Sequence, residues 1–202
     1  RGVGFIFVLC FLISSVLFLP LDVEYVIYGI LLFAMMISGY LDDASKTPWN
    51  EYKKGLIDLV ISVVAVLTYM NFNSTTICFG ADEIVIPKAL FLILGVILIW
   101  VSVNVTNCTD GVDGLCASLC SVTLLAFGVL FASVLQKYAM ANFLFLSVLF
   151  AYLYFNSSPS SMLMGDAGSR ALGFYIAVIA LKSTHPFIYL LLAAVMIVDG
   201  GI

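Results

Sequence analysis

The stretch YVIYGILLFAMMISGYLDDASK, residues 25–46, joins an apolar run of membrane length to two adjacent aspartates and a lysine. The apolar run predicts a helix that spans a membrane. Charged side chains at membrane depth cost about 2.5–3.5 kcal/mol each on insertion scales, so those that border such a run usually mark a functional position. Polar chemistry is therefore expected at Asp42, Asp43 and Lys46, where the run ends.

The composition of the whole chain is also strongly apolar. Its 202 residues are 63% hydrophobic and 10% charged, whereas soluble proteins are about 45–50% apolar and about 25% charged. An all-α integral membrane protein is predicted. The Lys and Arg residues are scattered and form no basic stripe, so no nucleic-acid partner is expected. The cysteines contain no CxxC pair, which argues against a zinc site or a disulfide framework.

Apolar runs between the charged segments predict about eight spanning helices in a single domain that covers residues 1–202. The runs are 3–19, 25–41, 55–72, 89–103, 115–135, 139–155, 171–181 and 186–198. A span needs about 20 residues, so the seventh run suffices only if its helix begins near Asp166. The chain begins at Arg1 rather than Met and stops at Ile202 within an apolar run, so truncation at both ends is expected.

Alternation of these spans across the membrane places three polar loops on one side. The loops are LDDASK (41–46), NVTNCTDGVDG (104–114) and NSSPSSMLMGDAGSR (156–170). This side also carries most of the cations, namely Arg1, Lys46, Lys53, Lys54 and Arg170. The opposite side carries Lys88, Lys137 and Lys182. The positive-inside rule therefore makes the side with the three loops cytoplasmic.

The three loops bring several carboxylates and amides to that face. They are Asp42, Asp43, Asp110, Asp113 and Asp166, with Asn104, Asn107 and Asn156 nearby. Crowded carboxylates raise one another's pKa, and a divalent cation relieves this. Oxygen donors suit Mg²⁺, with Mn²⁺ as an alternative, and such a cation completes its shell with water and phosphate oxygens. The pattern predicts a magnesium-dependent phosphoryl-transfer site at a membrane surface.

Simpler structural roles could also explain some of these charged residues. Asp113 and Asp166 each precede an apolar segment, where aspartate is a preferred helix N-cap. If the second helix continues beyond Asp43, Lys46 lies one turn from Asp42 and could form a local ion pair with it. His185 is the only histidine and lies on the opposite side from the acidic loops, so no role with them is expected.

The motifs LDDASK, NVTNCTDGVDGL and NSSPSSMLMGDAGSRALG resemble the polyprenyl-phosphate N-acetyl-hexosamine-1-phosphate transferases, in order and spacing, across nearly the whole chain. TDGVDGL followed by GDAGSRALG is most similar to the branch that transfers phospho-MurNAc-pentapeptide. The resemblance implies a ten-helix protein of the bacterial inner (cytoplasmic) membrane with its active site on the cytoplasmic face. It implies that UDP-MurNAc-pentapeptide and undecaprenyl phosphate give lipid I and UMP, with Mg²⁺, in peptidoglycan synthesis. Contacts with membrane lipid are implied, and a homodimer is left open.

The resemblance also implies roles for single residues. Asp42 and Asp43 would be the catalytic pair near the prenyl phosphate, with Asp42 the expected general base, and Asp166 would be the magnesium ligand. The nucleotide-binding residues would be Asn107, Asp110, Asp113, Asn156 and Leu163. Lys46 and Lys54 would bind phosphate, and Asn104 would be a further cleft residue.

The sequence departs from the family pattern at two of its positions. Leu163 stands where a phenylalanine commonly stacks on uracil, and Asp58 stands where a glutamine is expected. The family's first motif would precede residue 1, and its histidine-rich loop would follow residue 202. An incomplete site is therefore expected in these residues.

Two other functions are weighed against this prediction. A transferase that moves GlcNAc-1-phosphate from UDP-GlcNAc to undecaprenyl phosphate would share the same motifs, and competition between donors would separate the two. A cation- or proton-coupled transporter would instead place its carboxylates in the middle of its helices. Here they lie at the ends of apolar runs, which favours catalysis at the membrane surface.

Overall fold

The computed structural model describes residues 2–47, 49–79 and 82–201, so Arg1 of the charge count lies outside the described residues. Nine helices and two short strands make up the regular structure of this part. The helices are α1 (Gly4–Phe18), α2 (Val23–Asp43), α3 (Glu51–Phe72), α4 (Lys88–Thr109), α5 (Leu115–Leu130), α6 (Gln136–Asn156), α7 (Gly165–Lys182), α8 (Pro186–Leu192) and α9 (Ala194–Gly201). The strands are β1 (Thr76–Phe79) and β2 (Asp82–Val85).

The predicted polytopic membrane helix bundle is confirmed, with differences in its spans. In the described ranges, α2, α3, α4 and α6 are long and apolar enough to cross a membrane, and α1 and α5 are shorter apolar helices. The seventh run gains length as expected, because α7 begins at Gly165. The eighth run is not one helix, since α8 ends at Leu192, and Ala193, with a φ of −90° and a ψ of 4°, separates it from α9.

Helix α7 is the central element of the bundle. Its residues from Ala167 to Leu181 are all buried, and it packs chiefly against α2 and α4. A helix that is buried on every side must be apolar or small on every side. The sequence GDAGSRALGFYIAVIALK meets this requirement except near its two ends, where Asp166 and Arg170 lie in the first turns and Lys182 is the last residue. Asp166 and Arg170 therefore lie where the three motifs were expected to meet.

The opposite end of the bundle contains a hairpin that the sequence did not predict. Strands β1 and β2 pair antiparallel, with Thr76 opposite Val85. The backbone N–H of Cys78 donates to the carbonyl of Thr184 at 2.8 Å, which fixes the hairpin to the end of α7. The hairpin occupies the connection between α3 and α4.

A buried ion pair also lies at this opposite end. The Lys182 ammonium is 2.9 Å from Oε2 of Glu24 and 2.7 Å from Oδ1 of Asn73. Asn73 in turn donates to Oε1 of Glu24 at 2.7 Å. The charges of Glu24 and Lys182 are therefore paired within the protein.

Glycines allow α1 and α2 to approach the start of α7 closely. A Cβ placed on Gly39 would lie 2.4 Å from the backbone carbonyl of Asp166, and one on Gly4 would lie 2.2 Å from the backbone nitrogen of Gly168. Such distances leave no room for a side chain. Gly29, also on α2, differs, because its nearest neighbour would be Leu12 at 3.9 Å.

Gly39→Ala and Gly29→Ala are therefore expected to act in opposite directions. Gly39→Ala should lower the unfolding free energy by roughly 1–3 kcal/mol, the usual cost of overpacking. Gly29→Ala should be neutral or stabilise by up to about 1 kcal/mol, because alanine is the better helix former. Thermal unfolding of both variants in the same detergent measures the difference. Equal midpoints for the two variants would contradict the close approach.

Candidate active site

Lys54 joins the ends of three helices at the predicted polar face. Its ammonium lies 2.6 Å from Oδ2 of Asp42, 3.2 Å from Oδ2 of Asp166 and 3.7 Å from Oε1 of Glu51. These contacts connect α3 to α2 and α7. The predicted convergence of LDDASK with the start of the GDAGSR segment is therefore observed, and Lys54 is the residue that holds the two together.

Asp42 is held on both of its carboxylate oxygens. The side chain is nearly buried, Oδ1 accepts the Trp49 backbone N–H at 2.6 Å, and Oδ2 faces Lys54. The alternative of a local ion pair with Lys46 is wrong, because α2 ends at Asp43 and Lys54 takes that place. Lys46 is exposed, and among the described residues it makes no ion pair. Its predicted phosphate contact stays a prediction.

A polar cavity of about 250 Å³ opens beside this ion pair. It is lined by residues from all three motifs, namely Asp43, Asn107, Cys108, Asp110, Gly111, Leu163, Gly165 and Asp166. Five residues predicted to line the site, Asp43, Asn107, Asp110, Leu163 and Asp166, are thus brought together. Asp43 lines the cavity, whereas Asp42 lies behind it against Lys54.

Asp43 also fixes the start of α7. Its Oδ2 accepts the Ala167 backbone N–H at 3.2 Å, which satisfies one of the unpaired donors of that first turn. Gly165 has a φ of +67°, and a Cβ there would lie 2.4 Å from Oδ2 of Asp43. Only glycine fits between this carboxylate and the helix.

The explanation of Asp166 and Asp113 as helix N-caps is wrong. Met164 is the N-cap residue of α7, and Gly114 is the N-cap residue of α5. Asp166 lies inside the first turn of α7 and faces both the cavity and Lys54. Its position is therefore not accounted for by capping.

Asp113 and Asn156 hold two of the loops together instead of lining the cavity. Asp113 accepts from the hydroxyl of Ser160 at 2.7 Å and from its backbone N–H at 3.0 Å, and these hydrogen bonds lower the pKa of Asp113. The buried Asn156 accepts from the Gly114 N–H at 3.0 Å and donates to the Met162 carbonyl at 2.9 Å. Their predicted contacts with a nucleotide stay predictions, and the observed contacts position loops 104–114 and 156–164.

The two asparagines of α4 have different surroundings. Oδ1 of Asn107 accepts from the Ser169 hydroxyl at 2.7 Å, so Asn107 ties α4 to α7 at the cavity. Asn104 is exposed and donates to the Trp100 carbonyl of its own helix at 2.7 Å. It borders a second, smaller cavity beside Lys54.

The sequence did not reveal the ion pair between Asp58 and Arg170. Their side chains are 3% and 1% exposed, although Arg170 was expected to be a loop cation. The available signal was the spacing, because Asp58 follows Lys54 by four residues and Arg170 follows Asp166 by four residues. On facing helices this spacing stacks two opposite-charge pairs.

The cavity suits a hard divalent cation that is bound by few protein groups. Within the described ranges, no three His, Cys, Asp or Glu side chains form a preformed metal site. Asp43, Asp110 and Asp166 nevertheless present carboxylates to one polar cavity. Magnesium is commonly held by one or two carboxylates together with water and substrate phosphates. The donor set fits that manner of binding.

Comparison with known proteins agrees with this geometry. Residues 25–184 match the family described as Glycosyl transferase family 4. The chain belongs to glycosyl transferase family 4. The matched residues include Lys54 and all the residues that line the cavity.

Three relatives of this glycosyl transferase family 4 chain carry the name phospho-N-acetylmuramoyl-pentapeptide-transferase. The protein of Treponema pallidum (strain Nichols) is 35% identical, over 99% of this chain and 61% of its own length. That of Wolinella succinogenes is 30% identical, over 97% and 63%. That of Halalkalibacterium halodurans is 29% identical, over 97% and 64%. The chain therefore spans less than two thirds of the length of these relatives.

Asn156→Ala should loosen the connection between the two loops, because it leaves the Gly114 N–H and the Met162 carbonyl without their partner. Burying such unpaired groups costs about 1–3 kcal/mol. Asn104→Ala is the matched control, since it removes an exposed amide that contacts only its own helix. Limited proteolysis between residues 157 and 164 should be faster in Asn156→Ala alone. Equal cleavage rates in both variants would show that Asn156 does not hold the loops.

Proposed function

We propose that this chain forms the catalytic membrane part of an enzyme that transfers phospho-MurNAc-pentapeptide from UDP to undecaprenyl phosphate. The products are lipid I and UMP, as required for peptidoglycan synthesis. The observation that carries the proposal is the cavity at which Asp43, Asp110 and Asp166 meet beside Lys54. The names of the relatives support the choice of donor.

The proposed reaction exchanges one pyrophosphate linkage for another. An oxygen of undecaprenyl phosphate attacks the phosphorus attached to the sugar, the bond to the UMP oxygen breaks, and UMP leaves with that electron pair. Because the bond formed resembles the bond broken, the main tasks are to position two anionic substrates and to neutralise their charge. A polar cavity at the end of an apolar bundle suits one water-soluble and one lipid substrate.

Lys54 is suited to exchange partners when a phosphate enters. Its ammonium is a compact charge on a flexible stem, and it already lies between Asp42 and Asp166. Contact with a phosphate oxygen would leave Asp42 free to act as the general base toward the prenyl phosphate. Asp43 lines the cavity directly, so it is the alternative base.

Magnesium is the proposed cofactor, with Asp166 as ligand and Asp43 or Asp110 as a second carboxylate. When bound, the ion would neutralise charge on the pyrophosphate. The main-chain hydrogen bond from Ala167 to Asp43 orients one of these carboxylates in advance. Lys54 orients Asp166 in the same way.

The proposal places the site on the cytoplasmic face of the bacterial inner membrane, where the UDP-linked donor is available. All the cavity residues come from loops and helix ends on one side of the bundle. A coupled transporter would instead need carboxylates near the middle of its spans. The UDP-GlcNAc transferase differs only in its donor, and the relatives favour the MurNAc-pentapeptide donor.

UMP release from UDP-MurNAc-pentapeptide, with undecaprenyl phosphate present, tests the proposed function. Release should require both substrates and Mg²⁺, and UDP-GlcNAc should compete poorly. Asp166→Asn should abolish turnover while the protein still inserts and unfolds like the unaltered protein. Release from UDP-GlcNAc alone would overturn the assigned donor. Near-normal turnover by Asp166→Asn at limiting Mg²⁺ would overturn its role as a metal ligand.

Substitution of the adjacent aspartates should separate the base from the residue that binds substrate. If Asp42 is the base, Asp42→Asn should lower kcat by about 10²–10⁴-fold and leave the donor Kd nearly unchanged. Lys46→Ala should weaken donor binding as well as rate, because a phosphate contact exists before the transition state. Measurements of kcat and donor Kd for each variant make the comparison.

Asp43→Asn completes the set, because Asp43 and not Asp42 lines the cavity. It should weaken donor binding and also loosen the first turn of α7. If Asp43→Asn removes turnover while Asp42→Asn retains it at saturating substrate, the base is Asp43. That result would contradict the assignment of Asp42.

A further inference from the structure

Helices α3 and α7 are joined by two ion pairs that lie one helical turn apart. Lys54 on α3 faces Asp166 on α7, and one turn further into the bundle Asp58 on α3 faces Arg170 on α7. The sign of the charge alternates along each helix, and each charge faces an opposite charge on the other helix. Every charge in this group therefore has an opposite charge both across the gap and along its own helix.

The two pairs differ in their exposure to solvent. The side chains of Lys54 and Asp166 are 15% and 20% exposed, whereas those of Asp58 and Arg170 are 3% and 1% exposed. Burying an ion pair in this way is costly, and apolar residues of similar size would often be equally or more stabilising. A gain in stability is therefore a weak explanation for the Asp58–Arg170 pair, here called the inner pair. A better explanation is that the pair fixes α3 against α7.

Apolar packing alone constrains α3 only weakly against α7. Helix α3 packs chiefly on α2 and α4 and meets α7 over a short length. A shift of one residue along a helix moves a side chain by about 1.5 Å. The Lys54 side chain would have to change its conformation to keep its contacts with Asp42 and Asp166, which are now 2.6 and 3.2 Å long. The inner pair opposes this shift because its partners are buried and directional.

Arg170 depends on Asp58 for its position. Within the described residues, Nε and Nη1 of Arg170 have no hydrogen-bond partner, and Nη2 donates to Asp58. Without Asp58 the guanidinium would remain buried, and the closest carboxylate along its own helix is Asp166, one turn away. The same acid that serves Lys54 would then have a second cation competing for it.

We propose that Asp58 and Arg170 are positioning residues, which fix α3 against α7 so that Lys54 stays between Asp42 and Asp166. Neither residue is required to touch a substrate, because both are buried and neither lines the larger polar cavity. Their effect on phosphoryl transfer rests on the proposed function. Their effect on the position of Lys54 does not, and it can be measured without any substrate.

The test uses variants that change the inner pair in graded steps. Asp58→Glu lengthens one partner by a methylene and keeps both charges. Asp58→Glu combined with Arg170→Lys shortens the other partner in compensation. Asp58→Leu combined with Arg170→Met replaces the pair with apolar side chains. The control is Glu24→Leu combined with Lys182→Met, which removes the buried ion pair at the opposite end of the bundle.

The first measurement is the rate at which an amine-reactive reagent modifies Lys54, with the exposed Lys46 as internal reference in the same protein. Asp58→Glu and the apolar pair should raise the relative rate at Lys54 by about threefold or more, because the contacts of Lys54 open locally. Asp58→Glu combined with Arg170→Lys should return the Lys54 rate toward the original value. The control should leave the Lys54 rate unchanged, because its ion pair lies at the opposite end of the bundle.

The second measurement is the kinetics of UMP release. Asp58→Glu should lower kcat by about 10–100-fold through misplacement of the reacting groups, with the donor KM within about twofold. Asp58→Glu combined with Arg170→Lys should recover part of the lost kcat. A role in stability alone would instead lower the unfolding midpoint and the active fraction, without this separation of kcat from KM.

Each outcome decides one proposal or the other. If Asp58→Glu unfolds like the unaltered protein and leaves both the Lys54 rate and kcat unchanged, the positioning role is overturned, even if the apolar pair fails to fold. A Lys54 rate that rises equally in the control also overturns it. If the unaltered protein releases no UMP, the proposed function fails, while the modification rates still decide whether the inner pair positions Lys54.

Discussion

The ammonium group of Lys54 is the interaction on which the polar end of this molecule depends. It neutralises Asp42, which is buried at the end of α2, and it contacts Asp166 at the start of α7. Without a cation at this point, two helix ends would present like charges to each other. Since a carboxylate at the C-terminal end of a helix is also opposed by the helix dipole, Asp42 in particular needs this partner. One lysine therefore lets the two acids lie close to each other beside the cavity.

The sequence was sufficient to predict the helical bundle and the convergence of its three motifs, because both follow from patterns that are local in the chain. Apolar length predicts spans, and alternation across a membrane assigns each loop to a side. The sequence could not show that Lys54 rather than Lys46 holds Asp42, since that depends on where α2 ends. Nor could it show that Asp113 and Asn156 face other loops, because a short polar side chain near a site can bind either a ligand or backbone. The split between α8 and α9 has no marker such as proline or glycine at Ala193.

The charged residues at the two ends of the bundle have different surroundings. At the hairpin end, Glu24 and Lys182 are mutually paired and buried, with Asn73 completing their hydrogen bonds. At the other end, Asp43, Asp110 and Asp166 face an open polar volume. Buried polar groups that satisfy each other stabilise one arrangement of a fold, whereas carboxylates that line a solvent-accessible cavity can also be reached by a ligand. This contrast supports the proposal that the functional site lies at the end with the cavity.

The close approach of Gly39 and Gly4 to the start of α7 has a consequence for motion. The contacts there join one main chain to another, with no side chain between them. Rotamer changes occur within picoseconds to nanoseconds, but they cannot open a contact that contains no rotamers. The base of the cavity can widen only if whole helices move, and movements of that kind take microseconds to milliseconds. Side-chain motion alone therefore leaves the main chains of α1, α2 and α7 at a fixed spacing here, and a slow opening at this point would have to be a displacement of α1 or α2.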